Sequence, residues 1–493
     1  MHKYVFTISF VIQGVGAKGA RTGMSGAATQ AIAAFHGLVP IERELLVFCA
    51  FWFAVGLLDE LAIDLAWMWL RLTGRTRTPR LPAGYGTAPL GGPLAVLLPA
   101  YQEGAVIGAT ITHMLAVWPQ RELRLYVGCY ANDAATMAAA MTAAGSDARV
   151  RLVLHPAAGP TTKADCLNRL YAALCADEQR SRRPFRGVVL HDAEDMVHPA
   201  ALQAIDAALG AHDFVQLPVR PAEQPDSRWI AGHYADEFAE SHAKAMVVRA
   251  RFGAAIPAAG VGCGFARHAL TALAERHRAA GASGPFAPEC LTEDYELGLV
   301  LSRQGRGATF LRLRDAAGRL VATGSHFPTE LVAAVRQKTR WVHGIAFQGW
   351  ERMGWTARPV EVWMALRDRR GPLTALVLGG AYLLLLVDAV LMAAEWAGVR
   401  IERDTSASLR VLLAISLAGF VWRAALRAAF TAREYGLAEG ARAVLRIPVA
   451  NVIAIMAGRR ALAAYLRSLR GAPVSWDKTE HRTHPVQVRM AKA

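Results

Sequence analysis

Residues 186–199 read RGVVLHDAEDMVHP, and they join a short apolar segment to a cluster of carboxylates. The apolar residues 188–190 (VVL) predict a buried strand of a parallel sheet. Asp192, Glu194 and Asp195 follow at the carboxyl end of this strand. Because open α/β sheets bind ligands at the carboxyl ends of their strands, the stretch predicts both the fold class and the place of a site.

Two interpretations of the carboxylate cluster stay open at this point. Neighbouring carboxylates repel one another unless a cation lies between them, and oxygen ligands suit Mg²⁺ or Mn²⁺. An ion held in this way shares its remaining positions with substrate phosphates. The alternative is an acidic cap on the following helix, where Asp and Glu stabilise the positive end of the helix dipole.

The composition favours a membrane protein. Of the 493 residues, 53% are hydrophobic and only 19% are charged, and the mean hydropathy is +0.22. Such a length allows two or three domains, or one domain with a membrane part. The six cysteines form no CxxC pair, so the sequence predicts neither a disulfide framework nor a zinc site.

The net charge of +15 arises from 55 basic and 40 acidic residues. A basic excess can indicate binding to nucleic acid. In this chain, however, many arginines flank apolar runs, as the positive-inside rule expects. The predicted partner is therefore anionic membrane lipid, and no nucleic-acid partner is predicted.

Apolar runs and their basic flanks divide the chain into segments. Residues 45–58 (LLVFCAFWFAVGLL), extended on both sides, approach the ~20 residues needed to span a bilayer. Residues 373–391 and 409–426 predict a membrane hairpin, whereas residues 441–469 favour a basic interfacial helix over a third span. The predicted segments are 1–40, an unassigned N-terminal extension; 41–72, a transmembrane helix with an interfacial tail; 73–92, a linker; 93–345, a cytosolic α/β domain; 346–370, an interfacial segment; 371–430, a transmembrane hairpin; 431–470, a basic membrane-associated helix; and 471–493, a cytosolic tail.

Strands and helices alternate in the predicted α/β domain. Four apolar segments, at residues 94–98, 123–129, 150–154 and 188–190, predict strands, and each is followed by a helical pattern. This alternation with short loops predicts a mainly parallel sheet with helices on both faces. The glycines of residues 260–264 (GVGCG) suit either close backbone approach to a ligand or an ordinary loop.

Six short motifs follow one another along the chain. They are PAYQE (99–103), YAND (130–133), GPTTKADCLN (159–168), HDAED (191–195), LTED (291–294) and QKTRW (337–341). In this order they resemble the membrane-embedded family 2 glycosyltransferases, which include cellulose and hyaluronan synthases. The wording of HDAEDMVHP, TEDYELG, QKTRWVHG and WDKTEH is similar to that of the NfrB-type phage-adsorption glycosyltransferases of bacterial inner membranes. The resemblance covers residues 40 to 485, approximately.

The resemblance implies a GT-A-like (Rossmann-like) fold with α-helical transmembrane segments, and a site for a nucleotide-sugar with Mg²⁺ or Mn²⁺. Asp192, Glu194 and Asp195 match the family's DxD position for the metal, although Glu replaces the second Asp and an acid is added. Transfer of the sugar leaves an anionic diphosphate, so neutralising that charge contributes most to catalysis. The donor-binding residues implied by the resemblance are Tyr101, Glu103, Asp133, Lys163, Asp192 and Arg340.

Two of the donor assignments have structural alternatives. Asp133 matches the family's nucleoside-binding Asp, but an Asx turn at the end of a strand also explains it. Lys163 lies in the first turn of a helix, where a cation opposes the dipole. A role at the diphosphate would account for that cost, and so would compensation by Asp165.

Asp294 corresponds to the family's general base, which removes the proton from the acceptor hydroxyl as that oxygen attacks the anomeric carbon. A carboxylate within hydrogen-bond reach can do this, with a pKa raised by burial. The structural alternative is a helix that Thr292 caps and whose first turn is acidic, and both can hold together. In-line attack would invert the anomeric configuration.

Gln337, Arg340 and Trp341 are spaced i, i+3 and i+4, so they share one helix face. Arg can neutralise a diphosphate and Trp can stack on a sugar ring, but an interfacial helix uses the same residue types. The resemblance places Gln337 and Trp341, with Glu293, on the acceptor side. It also makes Trp476, Lys478 and Thr479 similar to gating-loop segments of these synthases.

The leading prediction is an inverting, metal-dependent hexosyl- or N-acetylhexosaminyl-transferase of the bacterial inner membrane. It would be a multi-pass protein with a cytosolic catalytic domain that moves a sugar from a UDP-linked donor to a surface or secreted polysaccharide. One alternative transfers a single sugar to a polyprenyl phosphate; another is a non-enzymatic component of an export or phage-receptor system. The partners implied are a nucleotide-sugar, a glycan or lipid-linked acceptor, membrane lipid, and, as a further candidate, an outer-membrane export protein.

Overall fold

The computed structural model describes residues 26–403 and 405–471. The strands are β1 (Leu94–Pro99), β2 (Leu123–Tyr130), β3 (Val150–His155), β4 (Gly187–Leu190), β5 (Phe214–Gln216), β6 (Val219–Pro221), β7 (Cys263–Ala266), β8 (Ala308–Phe310) and β9 (Thr323–Ser325). The helices are α1 (Gly26–Leu72), α2 (Ile107–Val117), α3 (Ala134–Ala144), α4 (Lys163–Ser181), α5 (Ala201–Leu209), α6 (Ile230–Glu240), α7 (Met246–Arg251), α8 (Arg267–Ala279), α9 (Glu293–Ser302), α10 (Leu331–Val342), α11 (Gly349–Met353), α12 (Pro359–Arg369), α13 (Gly371–Trp396), α14 (Ala407–Tyr435), α15 (Leu437–Leu445) and α16 (Ile447–Ser468).

Seven strands form one sheet in the order β3-β2-β1-β4-β7-β5-β8. Every neighbouring pair is parallel except the two pairs that contain β7. A second, two-stranded sheet pairs β6 with β9 in parallel. All four strands predicted from the sequence are present, and the expected mainly parallel α/β architecture is confirmed.

The central strand β1 shows why the sheet has helices on both faces. Its alternate residues Leu94, Val96 and Leu98 pack into one core cluster with residues of α2 and α5. Ala95 and Leu97 point to the opposite face and pack with residues of α4. Because side chains alternate across a strand, an uninterrupted apolar segment must be buried on both sides.

Four of the described helices are long and apolar enough to cross a membrane, by length and composition. They are Ala33–Leu72 of α1, then α13, α14 and α16. This indicates a membrane protein. The interfacial position predicted for α16 stays a prediction, and in the structure its Ile453 packs against Ala334 and Val335 of α10.

The chain divides into two compact units. The first comprises Met1–Ala62 and Leu376–Ala425. Within it, Asp388, the one charge in the predicted span, forms an ion pair of 2.5 Å with Arg403. Arg403 also lies 3.3 Å from Glu42. Pairing of this kind offsets the cost of charges among apolar helices.

The second unit comprises Ile63–Ala375 and Leu426–Ala493 and contains the α/β domain. The end of α1 belongs to this unit. Trp67 donates a hydrogen bond from its indole Nε1 to the carbonyl of Ala243 at 3.0 Å, and Asp64 forms a buried ion pair with Lys244. The predicted interfacial tail is therefore a continuous helix that is held against the α/β domain.

Candidate functional site

The candidate site lies at the carboxyl ends of β1, β2 and β4, which are neighbours in the sheet. The loop after β1 carries Tyr101 and Glu103, the loop after β2 carries Asp133, and the loop after β4 carries Asp192. Parallel strands present their carboxyl ends at one edge, so the sheet gathers these loops at the edge expected for a ligand.

Asp133 ties two of these loops together. One of its carboxylate oxygens accepts a hydrogen bond from the amide of Thr136 and caps α3. The other accepts one from the amide of Gln102 at 2.5 Å. The structural role that the sequence offered for Asp133 is thus present, and it also fixes the loop that bears Glu103, a buried residue.

Lys163 is surrounded by carboxylates. Its Nζ lies 2.5 Å from Oδ1 of Asp192. Burial alone would lower the pKa of Lys163, but Asp192, Glu293 and Asp294 raise it, and the net shift of the pKa is upward. Thr162 and Asp165 form a capping box at the same helix end, so Asp165 is committed to the backbone and the cation is balanced chiefly by the three other acids.

Asp294 stands in the first turn of α9, behind Thr292 at the N-cap position. Its Oδ1 accepts a hydrogen bond of 2.7 Å from the amide of Tyr295. Thr292 makes no side-chain capping bond, so the cap of the structural alternative is absent, whereas its acidic first turn is present,. The same turn also brings a carboxylate towards the ammonium of Lys163.

Gly260 permits the close approach of Asp294 and Lys163. Its φ is +75°, and a side chain at this position would collide with the carboxylate of Asp294 and crowd Nζ of Lys163. A residue with a Cβ would be strained at this φ and would displace the acid. Of the two interpretations offered for residues 260–264, close approach is the one that the structure shows, although the group approached is a side chain of the protein.

The pKa values of Glu293 and Asp294 are both raised. Burial is the main cause, because it disfavours the charged form of a carboxyl group,. The charge of Asp294 raises the pKa of Glu293 further, whereas Lys163 and Arg340 lower both. Arg340 of α10 therefore acts on the same acids as Lys163.

The residues of QKTRW, on helix α10, have different surroundings. Arg340 acts on the two acids, whereas Trp341 lies among aromatic residues, with its ring centroid 6.1 Å from that of Tyr234. Nζ of Lys338 is 5.0 Å from the centroid of each of these rings. Oε1 of Gln337 is buried and, within the described ranges, has no hydrogen-bond partner.

A second set of contacts anchors α9 through Tyr295, the residue after Asp294. The hydroxyl of Tyr295 donates a hydrogen bond of 2.8 Å to Asp368 of α12. Asp368 in turn accepts two hydrogen bonds from Arg249, at 2.8 and 2.9 Å. The residue next to Asp294 is thus anchored to the last helix before α13.

Asp195 has a different environment from Asp192. It is fully buried, and its Oδ2 accepts hydrogen bonds from Nδ1 of His191 and the amide of Asp192, both at 2.9 Å. Its Oδ1 accepts one from the hydroxyl of Ser325 in β9 at 2.5 Å. The sequence does not predict the contacts of Asp195 with His191 and Ser325, and the four-residue spacing of His191 and Asp195 is the one signal that it carries for them.

The carboxylates present suit a hard divalent cation, although the described residues contain no group of three His, Cys, Asp or Glu side chains placed to hold one. Asp192 is half-exposed and already faces a cation, the ammonium of Lys163. Glu194, two positions on, is buried. An ion with few protein ligands completes its coordination with substrate phosphates and water, so the site fits Mg²⁺ or Mn²⁺ at a nucleotide diphosphate.

Comparison with known proteins gives the family. Residues 92–344 match the family described as "Glycosyltransferase like family 2". The chain belongs to glycosyltransferase family 2. The predicted GT-A-like fold and glycosyltransferase class are thereby confirmed.

The matching relatives are phage-adsorption proteins. Over 451 residues the chain is 33% identical to "Bacteriophage adsorption protein B" of Escherichia coli strain K12, and equally to "Bacteriophage N4 adsorption protein B" of Escherichia coli O157:H7. The match covers 86% of this chain and 60% of each relative. The chain thus spans about three fifths of the length of these relatives, and the resemblance to the NfrB type is confirmed.

Solved structures similar to this family 2 chain include the mannosyltransferase PcManGT of Pyrobaculum calidifontis, in complex with GDP-Man and Mn²⁺. Its TM-score is 0.46 at 17% identity, with 83% of this chain and 99% of that chain covered. Glucosyl-3-phosphoglycerate synthase of Mycobacterium tuberculosis, with Mn²⁺, UDP and phosphoglyceric acid, has a TM-score of 0.33 at 20% identity, with 54% and 80% covered.

We expect Asp195→Ala to lower the free energy of unfolding by at least about 2 kcal/mol, because it leaves buried donors without an acceptor. Ser325→Ala removes one hydrogen bond and should cost about 1 kcal/mol. The apparent melting temperature of the full chain in detergent measures both effects. Asp226→Ala, at an exposed position, is the matched control. Equal melting temperatures for the Asp195 and Asp226 variants would contradict the role of Asp195 as a buried hydrogen-bond acceptor.

Proposed function

We propose that the chain is an inverting, metal-dependent glycosyltransferase. It would move a sugar from a UDP-linked nucleotide-sugar to a surface or secreted polysaccharide. The observation that carries the proposal is the cluster of Asp192, Lys163 and Asp294. It joins a carboxylate suited to a metal, a cation suited to a diphosphate and a carboxylate of raised pKa. These are the groups that sugar transfer requires.

The donor diphosphate would lie at the carboxyl edge of the sheet. Lys163 and Arg340 supply positive charge there, and both act on the acids of α9. Asp192, with Glu194 in the same loop, would hold Mg²⁺ or Mn²⁺. When bound, the ion neutralises part of the negative charge that develops on the leaving diphosphate. In this scheme Asp195 contributes through its hydrogen bond to the amide of Asp192.

Asp133, Tyr101 and Glu103 would contact the nucleoside part of the donor. Asp133 is held by the amides of Gln102 and Thr136. The ring of Tyr101 lies 5.1 Å from that of Tyr130 in an edge-to-face arrangement. These contacts set the shape of the loops after β1 and β2 before any donor binds, which reduces the entropy lost on binding.

Asp294 would act as the general base. Burial raises its pKa, which makes its carboxylate a stronger base than an ordinary Asp, and the ammonium of Lys163 opposes that rise,. The acceptor oxygen would lose its proton to Asp294 while it attacks the anomeric carbon from the side opposite the diphosphate. That geometry inverts the configuration at the anomeric carbon.

The acceptor would lie near α9 and α10. Glu293 neighbours the base, and Gln337 and Trp341 belong to the helix that carries Arg340. Trp341 packs against Tyr234, so a sugar would meet a prearranged aromatic group. Trp476, Lys478 and Thr479, the gating residues suggested by the family, lie outside the described residues.

The proposed location is the bacterial inner membrane, with the catalytic domain in the cytosol, where nucleotide-sugars are made. The apolar helices and the arginines beside them support this orientation,. The relatives are named for phage adsorption, and a surface glycan is a receptor that a phage can use. An outer-membrane export partner would then receive the product.

Replacing Asp294 tests the base. We expect Asp294→Asn to lower turnover of a labelled nucleotide-sugar by about 10²- to 10⁴-fold, the usual contribution of a general base. UDP binding, measured by calorimetry on the same preparation, should change little because the amide keeps the shape of the side chain. Asp226→Asn serves as the control. Turnover of Asp294→Asn equal to that of the control would remove the assignment.

The raised pKa of Asp294 makes a pH prediction. A base must be deprotonated to work, so kcat/KM should rise with pH through a midpoint above the ordinary pKa of Asp. Lys163 lowers the pKa of Asp294, so Lys163→Gln should move this midpoint to higher pH. Initial rates across a pH series give both midpoints, and a Lys163→Gln midpoint at or below that of the parent chain would contradict the electrostatic account.

A single-sugar transfer to polyprenyl phosphate is the rival function, and it is favoured by the small number of candidate spans, four among the described helices. Product analysis with a labelled donor separates the two. Long, water-soluble chains are expected for polysaccharide synthesis. A product that partitions into chloroform and carries one sugar would instead establish the lipid-linked reaction.

A further inference from the structure

A cavity lies away from the acids described above. Its volume is about 390 Å³, and it is bounded by α6, the loop before α6, the end of α14 and helix α15. Cavities of roughly 300–1,000 Å³ are typical of small-molecule sites. None of Asp192, Lys163, Asp294 and Arg340 lines it, so it is distinct from the proposed donor site.

Three arginines line this cavity, and two of them are neutralised by the protein. Arg446 is fully buried and is hydrogen-bonded to both oxygens of Asp236, at 2.8 and 2.6 Å. It reaches Asp236 past Gly232, where a side chain would collide with the guanidinium. Arg442 forms an ion pair with Glu439.

Arg228 is different. Its side chain is exposed at the cavity and makes no ion pair or hydrogen bond with any part of the chain that the structure describes. Glu223, the remaining acid of the lining, faces Arg220 at 3.7 Å. The cavity therefore has an excess of positive charge, to which Arg228 contributes; Arg427, just outside the lining, shares Asp236 with Arg446 at 3.2 Å.

The residues beside the cavity are apolar and exposed. Leu437, next to the lining residue Ala438, is 86% exposed, and Trp229, next to Arg228, is 49% exposed. Leu445 at the far end of α15 is 64% exposed. Leu and Trp exposed where a long apolar helix ends are typical of the bilayer interface, where lipid headgroups lie.

We propose that this cavity binds the phosphate headgroup of an anionic glycerophospholipid. Arg228 would donate to the phosphate, and Leu437 and Trp229 would contact the acyl chains. Basic pockets beside membrane helices on the cytoplasmic side bind anionic headgroups in this way. The inference does not depend on the proposed catalytic function, because it rests on a different set of residues.

Such a site would be connected to the helix with QKTRW. Ala231, Gly232 and Ala235 of α6 line the cavity. Tyr234 and Phe238, from the same helix, have ring centroids 6.1 and 6.5 Å from that of Trp341. A bound headgroup would therefore contact α6, the helix against which Trp341 packs.

The test is binding of dihexanoyl phosphatidylglycerol to the purified full chain in detergent. The apparent melting temperature, recorded across a lipid titration, measures this binding. We expect the lipid to raise the melting temperature, and Arg228→Gln to weaken the apparent affinity about tenfold or more, as loss of a hydrogen bond between charged groups predicts. Arg228→Lys should retain part of the effect because it keeps the charge.

Arg460→Gln, an exposed arginine of α16, is the control for the change in net charge and should leave the affinity unchanged. Three results would overturn the proposal. They are an equal response to dihexanoyl phosphatidylcholine, an equal loss in Arg460→Gln, and an equal stabilisation by inorganic phosphate at the same concentrations, which would show a site for a free anion.

Discussion

A positive charge placed at the unfavourable end of a helix dipole is the constraint on which the site depends. Lys163 begins α4, where backbone amides already concentrate positive charge,. It is stable there because acids from two other elements converge on its ammonium: Asp192 from the loop after β4, and Glu293 and Asp294 from α9. One side chain thus interacts with both the loop after β4 and the proposed base.

Lys163 also affects the pKa of the neighbouring acids. Burial pushes the pKa of Asp294 upward, and Lys163 with Arg340 pulls it back. A carboxylate whose pKa is raised by burial is a stronger base than an exposed one. Asp192 shares the same ammonium, so Lys163 balances the charge of the loop after β4 as well as that of α9.

Most of the sheet could be predicted because its signal is local. The uninterrupted apolar run at Leu94–Pro99 requires burial on both faces, and polar residues directly after Leu190 mark the ligand edge. The roles of Asp195 and Gly260 could not be predicted in this way. Asp195 depends on Ser325, 130 positions away, and Gly260 on the approach of α9; a single sequence does not show which distant residues meet.

Long-range contacts also explain why similar residues in one motif have unlike surroundings. Asp192 and Asp195 are three positions apart, yet one faces a lysine at the open edge and the other is enclosed by His191 and Ser325. In the same way Arg340 acts on the acids while Trp341 packs against Tyr234. Spacing on a helix or loop predicts a shared face, but the neighbouring elements decide what each side chain contacts.

The hydrogen bonds that join Tyr295, Asp368 and Arg249 have a consequence for where the chain can be cut. Tyr295 is held by Asp368, which lies only three residues before Gly371, where α13 begins. A soluble fragment cut ahead of Asp368 would lose this bond and leave Arg249 without its carboxylate. Helix α12 therefore belongs to the same folding unit as α9, and a chimaera that exchanges the α/β domain for that of a homologue would have to exchange α12 with it.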